Sequence, residues 1–436
     1  MKTSLILLFL MLLAACSASP TGGGPSSTPA LPATPTASPP PSATGQPSAA
    51  SPLPAEYVWP ARIPLSTAQP GAPVVLVRFA MLDEHTGWAI DTIGRRLRSV
   101  DGGRSWKNVT ATAFGLLSVK DSLRAWDIAY IQISCRQLGC PDEWTRGFVV
   151  WRTLDGGQTW QQGTPFPSGV REFFPLKMQF VDDRTGWYLG RNGFPFTSLF
   201  QSLDSGGSWK LIHHFSDGCY SSSMIFLDGR EGWVGNDCSR SAGAAGGTPL
   251  AEFLKGAARP ALSHTLDGGL TWETVLLPAP ALFPPELASP EAAQNLRFYC
   301  GVLQMQSISP ESFLLRWDCA QNYPEATRHI SYTYLTPDGG RSWNSWLSGG
   351  SENFIDSATG WRLFTPGNDR PNLLQHTGDG GLSWTDIKEL GWQSAQIDFV
   401  SAQLGWALAS DGLNTALVRS ADGGRTWLEI KPVYAP

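Results

Sequence analysis

An eight-residue motif that occurs seven times constrains this chain more than any other feature of its sequence. The first copy is SVDGGRSW at Ser99–Trp106, and the later copies end at Trp160, Trp209, Trp272, Trp343, Trp384 and Trp427. A spacing of roughly 40–70 residues is typical of repeat architectures, in which each repeat is one supersecondary unit. Each copy joins two strand-like runs, so it predicts a tight hairpin turn whose glycines supply positive φ. We therefore predict an all-β chain.

The aspartate of each motif is predicted to hold its turn together. A carboxylate at this place accepts hydrogen bonds from nearby turn N–H groups, as in Asx-type turns. We assign this structural role to seven residues: Asp101, Asp155, Asp204, Asp267, Asp338, Asp379 and Asp422. No EF-hand spacing surrounds them, so we expect no metal site, and nothing in the sequence suggests a cofactor.

A second motif, F-x-D-x-x-x-G-W, precedes each turn motif. Its tryptophans are Trp88, Trp187, Trp233, Trp361 and Trp406, with degenerate copies ending at Trp126 and Trp317. Seven of these tryptophans and seven from the turn motif make fourteen of the nineteen in the chain. So much tryptophan at fixed places in a repeat predicts a core between stacked sheets rather than a ligand cage.

The repeats predict a seven-bladed β-propeller with four-stranded antiparallel blades. In the first repeat the predicted strands, with the first innermost, are Val74–Leu82, Gly87–Asp91, Arg95–Val100 and Arg104–Thr110. Residues 57–65 and Leu428–Tyr434 are expected to meet where the ring closes.

The N-terminus predicts export and a lipid anchor. Met1–Ala15 carries one lysine and then an apolar run too short to span a bilayer. Its end, LAAC, resembles a bacterial lipobox, which implies cleavage before Cys16 and lipidation of that residue. An ordinary secretory signal is the alternative. We expect a protein anchored on the extracytoplasmic face of a bacterial envelope membrane.

Three segments follow from these signals. Residues 1–15 are the predicted signal peptide, residues 16–55 are a Pro/Ser/Thr-rich tether predicted to be disordered, and residues 56–436 are the propeller. We expect the protein to be a monomer.

The six cysteines other than Cys16 fit an exported protein. Two pairs are nineteen residues apart at equivalent places in adjacent repeats, and a third pair bounds a short loop. This spacing favours three local disulfides, Cys135–Cys140, Cys219–Cys238 and Cys300–Cys319, although sequence leaves fifteen pairings open. Zinc binding lacks a CxxC pair or a neighbouring histidine.

Charge and missing motifs argue against several functions. Removing Lys2 with the signal leaves 31 of the 32 basic residues against 37 acidic ones, which does not suggest nucleic-acid binding. The sequence contains no GxSxG elbow, HExxH helix or phosphate-binding glycine loop. The cluster Arg95, Arg96, Arg98 and Arg104 is interpreted as a solvated blade edge.

The two motifs together resemble those of known propellers. The pattern S/T-x-D-x-G-x-S/T-W is similar to that of Asp-box, or BNR, propellers, which include sialidases, xyloglucanases and sortilins. Combined with the second motif over about Val74–Ile430, it resembles the photosystem II stability/assembly factor propellers and their bacterial relatives. That resemblance implies a non-enzymatic scaffold that binds other proteins. The long tether and the expected disulfides depart from the family, which puts a photosynthetic role in doubt.

A carbohydrate-active enzyme or glycan binder is the alternative function. Arg62 lies in an Arg-Ile-Pro sequence that matches the core of the sialidase arginine motif. Asp91, Asp127 and Asp318 follow second-motif tryptophans and could supply a xyloglucanase-like pair of carboxylates. Solvated strand ends explain the same three aspartates without catalysis.

Uneven insertions predict where a partner binds. The connections from the second to the third strand are long in blades 2 and 4, and blade 4 is followed by another long connection, Pro278–Gln294. These connections share one face of a propeller, opposite the turn motifs, and long loops on rigid scaffolds commonly carry binding sites. We expect a protein partner, or a glycan, on that face, with Trp144, Asp127 and Asp318 as candidate contacts. Tolerated insertions are the alternative.

Overall fold

The computed structural model describes part of the chain, and within that part every regular element is a β-strand. The described residues are 57–58, 69–111, 115–134, 144–167, 174–191, 197–215, 220–237, 248–249, 261–280, 297–321, 329–366 and 371–436. In these ranges no helix is long and apolar enough to cross a membrane. The described residues do not include the predicted signal peptide, the predicted lipidation site Cys16, Arg62 or four of the other six cysteines.

The strands form a ring of seven four-stranded antiparallel blades, as predicted. Blade 1 comprises Leu76–Met81, Gly87–Asp91, Arg96–Ser99 and Ser105–Asn108. Blade 2 comprises Gly115–Val119, Ala125–Ser134, Trp144–Thr153 and Gln161–Gln162. Blade 3 comprises Phe174–Phe180, Gly186–Arg191, Thr197–Ser202 and Lys210–Phe215.

The remaining blades repeat this order. Blade 4 comprises Tyr220–Phe226, Gly232–Asp237, Ala261–Thr265 and Glu273–Leu276. Blade 5 comprises Arg297–Ser309, Ser312–Gln321, His329–Thr336 and Asn344–Leu347. Blade 6 comprises Glu352–Phe354, Gly360–Phe364, Asn372–Thr377 and Thr385–Leu390. Blade 7 comprises Ser394–Phe399, Gly405–Ser410, Thr415–Ser420 and Leu428–Ile430. Four short strands outside the blades are Tyr57–Val58, Phe166–Pro167, Thr248–Pro249 and Val433–Tyr434.

The seven turn motifs, which we call the box turns, share one hydrogen-bonding pattern. In blade 1 the Ser99 hydroxyl and the Ser105 amide both donate to Asp101 Oδ1, each at 2.9 Å, and the Ser105 hydroxyl donates to Asp101 Oδ2 at 2.7 Å. Gly102 and Gly103 take φ of 75° and 85°, a region that excludes most side chains. The same three bonds form around the aspartates of the other turns, Asp155, Asp204, Asp267, Asp338, Asp379 and Asp422. The contacts match the turn-holding role predicted for these residues.

The tryptophans of the second motif join neighbouring blades. The indole N–H of Trp187 in blade 3 donates to the carbonyl of Gly268 in the box turn of blade 4, at 2.9 Å. Its ring stacks on Phe226 of the first strand of blade 4, with centroids 3.7 Å apart. Trp126 and Trp361 make the same pair of contacts with their next blades. These tryptophans are buried between sheets, as predicted.

Blade 5 departs from the predicted repeat. Its second strand pairs Phe313 with Thr336, just as Gly186 pairs with Ser202 in blade 3. Leu314 therefore takes the position of Trp187, and the assignment of Trp317 to that position is wrong. The cause is a changed motif and not a changed turn length, since five residues separate Ser307 from Phe313 just as five separate Phe180 from Gly186.

The C-terminal residues close the ring on blade 1. Val433–Tyr434 pair in parallel with Ser105–Trp106, which belongs to the outermost strand of that blade. The expectation that residues 57–65 meet the C-terminal segment is wrong for the described Tyr57–Val58, which pair with Gln132–Ile133 of blade 2. The second strand of blade 2 is ten residues long, and its extra length offers an edge that this segment covers.

Candidate functional site

The two faces of the ring differ in the connections they carry. In blade 1 the amide of Gly102 in the box turn donates to the carbonyl of His85 in the turn between the first and second strands, so these turns share a face. We call it the box face. The opposite face, which we call the loop face, carries the connections from second to third strands and from each blade to the next.

Blades 2 and 5 project from the loop face. Their second strands are each ten residues long, whereas those of the other blades have five or six. Blades 2 and 5 are separated by two blades on one side of the ring and three on the other. The two projections therefore stand on opposite sides of the mouth of the central channel.

The projection of blade 2 continues the sheet of that blade and is widened by two short strands. Its central hairpin pairs Ser134 with Trp144, the first residue of the third strand. Tyr57–Val58 add to one edge, and Phe166–Pro167 add to the other. The predicted contact residue Trp144 thus lies at the far end of a supported hairpin.

The projection of blade 5 is held by a disulfide. Cys300 and Cys319 are bonded across the first and second strands, as their spacing favours. The other two predicted pairs, Cys135–Cys140 and Cys219–Cys238, lie outside the described residues. Thr248–Pro249, from the long connection of blade 4, also pair with the first strand of blade 5.

Two of the three candidate aspartates are buried ion-pair partners. Asp91 is 2% exposed and accepts hydrogen bonds from Arg95 Nε at 2.6 Å and from the Tyr434 hydroxyl at 2.8 Å. Asp127 is 0% exposed and pairs with Arg96 across the junction of blades 1 and 2, at 3.1 Å. The interpretation of both as solvated strand ends is wrong, because both side chains are buried. Each carboxylate is paired with an arginine, as a buried charge requires. Asp127 offers no exposed carboxylate to a partner.

The same contacts correct the interpretation of the arginine cluster. Arg95 and Arg96 are buried rather than solvated, and Arg98 donates to the carbonyl of Ser122 in blade 2 at 3.1 Å. Only Arg104 of the four is exposed. Arg95 forms an ion pair within blade 1, and Arg96 and Arg98 join blade 1 to blade 2.

Asp318 remains partly exposed in blade 5. Its carboxylate accepts a hydrogen bond from Arg316 Nε at 3.0 Å and retains 19% of its side-chain surface. The structure places Asp91, Asp127 and Asp318 in three different blades, and each of them is paired with an arginine. Across the described ranges no group of three His, Cys, Asp or Glu side chains could hold a metal ion.

Polar side chains of the first strands join neighbouring blades around the channel. Gln179 in blade 3 donates to the carbonyl of Phe226 in blade 4 and accepts from its amide, both at 2.9 Å. Gln396 in blade 7 makes the same two bonds with Phe79 in blade 1. Such bonds require adjacent first strands to be close, so the first strand is innermost, as predicted. Sequence reasoning missed these side chains, although they lie one or three residues before the end residue of the first strand.

Comparison with known proteins adds likeness of fold alone. No protein-family model and no curated protein sequence matches the chain. The structure of YCF48 bound to D1 peptide is 15% identical, covers 81% of this chain and 93% of that one, and has a TM-score of 0.43. YCF48 from Cyanidioschyzon merolae is 14% identical over 82% of this chain and 98% of that one, with a TM-score of 0.43. The GH74 enzyme of Niastella koreensis is 11% identical over 83% and 79%, with a TM-score of 0.21. No residue role is transferred from them, because one propeller fold hosts unrelated functions.

Proposed function

We propose that this chain is an exported, lipid-anchored protein whose propeller binds a protein partner on the loop face and performs no catalysis. The observation that carries the proposal is the pair of projections, from blades 2 and 5, on opposite sides of the channel mouth. A blade that serves only to build the ring needs no such projection. Both projections are braced, one by added strands and the other by a disulfide.

A braced projection suits binding for an energetic reason. Ordering a flexible loop on association costs roughly 0.5–1.5 kcal/mol for each immobilised side chain, so a rigid platform retains more of the contact energy. A stable interface buries about 800 Å² on each partner, more than one hairpin offers. Two projections around one opening supply a wider contact surface for a folded domain or an extended segment.

The anchor would set the height of this surface above a membrane. We propose that Cys16 carries the lipid and that residues 16–55 form the tether. A flexible chain of that length has a root-mean-square span of about 35 Å, and a proline-rich extended one reaches about 120 Å. A Cys16→Ser variant that still partitions with membranes would contradict the lipid anchor.

Partner capture from envelope extracts tests the choice of face. A Trp144→Ala variant and a variant with residues 236–255 shortened should capture less partner, while their melting temperatures stay near that of the parent protein. The matched controls are Arg104→Glu and Arg341→Glu, two exposed box-face residues. If the controls abolish capture and Trp144→Ala does not, the partner binds the box face.

A carbohydrate-active enzyme is the competing function, and the site argues against it. A glycosidase needs a protonated acid and a second carboxylate around one substrate bond. Asp91 and Asp127 are instead held by buried arginines. Incubation with sialosides and xyloglucan should give no turnover, and turnover that Arg62→Ala or Asp127→Asn abolishes would overturn the scaffold proposal.

A further inference from the structure

The first strands of four blades carry a bulge at the same level of the channel, and in blade 4 the pairing shifts between Ser221 and Ser223. In blade 1 the pairing with the second strand shifts between Leu76 and Arg78, and in blade 3 it shifts between Pro175 and Lys177. In blade 5 it shifts between Val302 and Gln304. In each blade the residue after the bulge pairs with the same position of the second strand. A bulge re-aims the side chains beside it.

Three of these bulges, those of blades 1, 3 and 5, present an aliphatic residue followed by a hydrogen-bond donor. The pairs, which we call the channel pairs, are Val77–Arg78, Leu176–Lys177 and Leu303–Gln304. Val77 and Leu303 are 54% and 53% exposed, which is high for aliphatic residues on innermost strands. Arg78 and Gln304 are also exposed, and the two members of the second pair are half-buried.

The two cations of the channel pairs lack partners. Among the residues that the structure describes, Arg78 and Lys177 make no ion pair and no side-chain hydrogen bond. The bulge of blade 4 differs in its side chains, because it presents Ser222 and Ser223, and the Ser223 hydroxyl accepts a hydrogen bond from the Met305 amide of blade 5 at 3.0 Å. Burial and the positive charge of Arg78 lower the pKa of Lys177. Two cations that repel each other in a confined space favour a bound anion.

The acids near the channel are already engaged. Asp398 of blade 7 accepts hydrogen bonds from the Met81 amide at 2.6 Å and from Asn353 Nδ2 at 3.2 Å. Glu352 of blade 6 accepts from the Thr333 hydroxyl at 2.5 Å and from Trp346 Nε1 at 3.0 Å. These bonds direct the carboxyl groups of Asp398 and Glu352 to protein donors.

We propose that the channel pairs bind a small carboxylate that carries an aliphatic chain. Arg78 and Lys177 hold the carboxylate, the Gln304 amide supplies a third donor, and Val77, Leu176 and Leu303 cover the chain. Each charge-assisted hydrogen bond strengthens where water is partly excluded, and each methylene of the ligand removed from water adds a favourable hydrophobic contribution. This site is independent of the partner proposed for the loop face.

Titration of the full protein with hexanoate, followed by calorimetry, tests the site. We expect one hexanoate to bind per propeller, and hexanol and inorganic phosphate to bind about tenfold more weakly or worse, since each lacks half of the recognised chemistry. Phosphate binding as tight as hexanoate would overturn the role of the aliphatic residues. Failure of hexanoate to bind would overturn the site.

Substitutions separate this site from other cations. Arg78→Met and Lys177→Met should each weaken hexanoate binding at least about tenfold, the loss expected for one charge-assisted hydrogen bond. The matched controls are Lys107→Met and Lys210→Met, exposed lysines on the fourth strands of the same two blades, and they should bind as the parent does. Lys177→Met should also raise the melting temperature, because it removes a charge that burial disfavours. A higher melting temperature would show that the variant folds. Unchanged binding in both channel variants would overturn the proposal.

Discussion

The junction that closes the ring, between blades 7 and 1, can be compared with the ordinary junction between blades 3 and 4. Both use a tryptophan that donates to the next box turn, Trp406 to Gly102 at 3.0 Å and Trp187 to Gly268 at 2.9 Å. Both use a glutamine that makes two bonds to the next first strand. The repeat interface is thus the same where the chain is continuous and where its two ends meet.

The closing junction adds contacts that the ordinary one lacks. Val433–Tyr434 lie along the outer strand of blade 1, and Tyr434 is 7% exposed. Its hydroxyl donates to Asp91 and accepts from Arg95 Nη2 at 2.6 Å. The ordinary junction has a covalent connection that keeps its blades together. At the closing junction, the terminal strand compensates for the entropy of bringing distant ends together.

Deleting residues 432–436 should give the largest effect. The deletion removes a buried aromatic side chain and the backbone bonds that the terminal strand makes to Ala72, Arg104 and Trp106, so we expect a loss of about 4 kcal/mol or more in the free energy of unfolding. Urea unfolding measures it. Deletion of the exposed Pro436 alone is the control and should change little. A loss below about 1 kcal/mol for the full deletion would mean that the repeat interface closes the ring unaided.

The glutamine bonds allow the two junctions to be compared directly. Gln396→Met and Gln179→Met each leave one buried amide and one carbonyl without their partner, at a cost of about 2 kcal/mol. We expect the two losses to agree within about 0.5 kcal/mol, with exposed Gln162→Met as the control. A much larger loss for Gln396→Met would show that the closing junction is the weaker one. Thermal and urea unfolding both report these values.

Removing the Tyr434 hydroxyl should have a smaller effect than removing the strand. Tyr434→Phe keeps the buried ring and leaves Asp91 paired with Arg95, so about 1 kcal/mol is expected. Hydrogen exchange should be faster at the amides of Val433 and Tyr434 than in the parent. Exchange that is faster in blade 4 as well would contradict a local role.

The pH dependence of the closing junction should be the smallest effect. Burial raises the pKa of Asp398 to about 7, so the folded protein keeps a proton that the unfolded chain releases near pH 4. This contribution to stability is full below about pH 4 and is lost as pH rises through 7. Asp398→Asn should flatten the fall in melting temperature between pH 5 and 8, and the exposed Asp411→Asn should not. An unchanged slope in Asp398→Asn would assign the titration to another group.

The fold was predictable from local patterns, and its closure was not. The spacing of the box turns defines the blades, because each turn uses only residues within one hairpin, and the strands predicted for blade 1 match within two residues at each end. The pairing of Arg96 with Asp127, and of Tyr434 with Asp91, joins residues that no local pattern connects. The misplacement of Trp317 has a different cause, because Phe313 and Leu314 replace the glycine and tryptophan of the second motif in blade 5, and Trp317 lies three residues further along the same strand.

The candidate site was predictable only in outline. Insertion lengths indicated the loop face and blade 2, but they did not indicate that the blade 5 strands themselves lengthen. The channel pairs escaped notice because a bulge is a property of strand pairing, not of sequence period. A search for donors that follow an aliphatic residue three or four positions before the end of each first strand would have found two of them, Arg78 and Lys177.

The terminal strand also bears on how the protein is made. A ribosome delivers the chain from the N-terminus, so the segment that seals blade 1 emerges after all seven blades. Until then the outer strand of the first blade has a free edge, which chaperones and proteases recognise in incomplete chains. A chain that ends before Val433 would contain all seven blades but would leave that edge unpaired. Protection of the first blade therefore waits for residues that are made after the seventh.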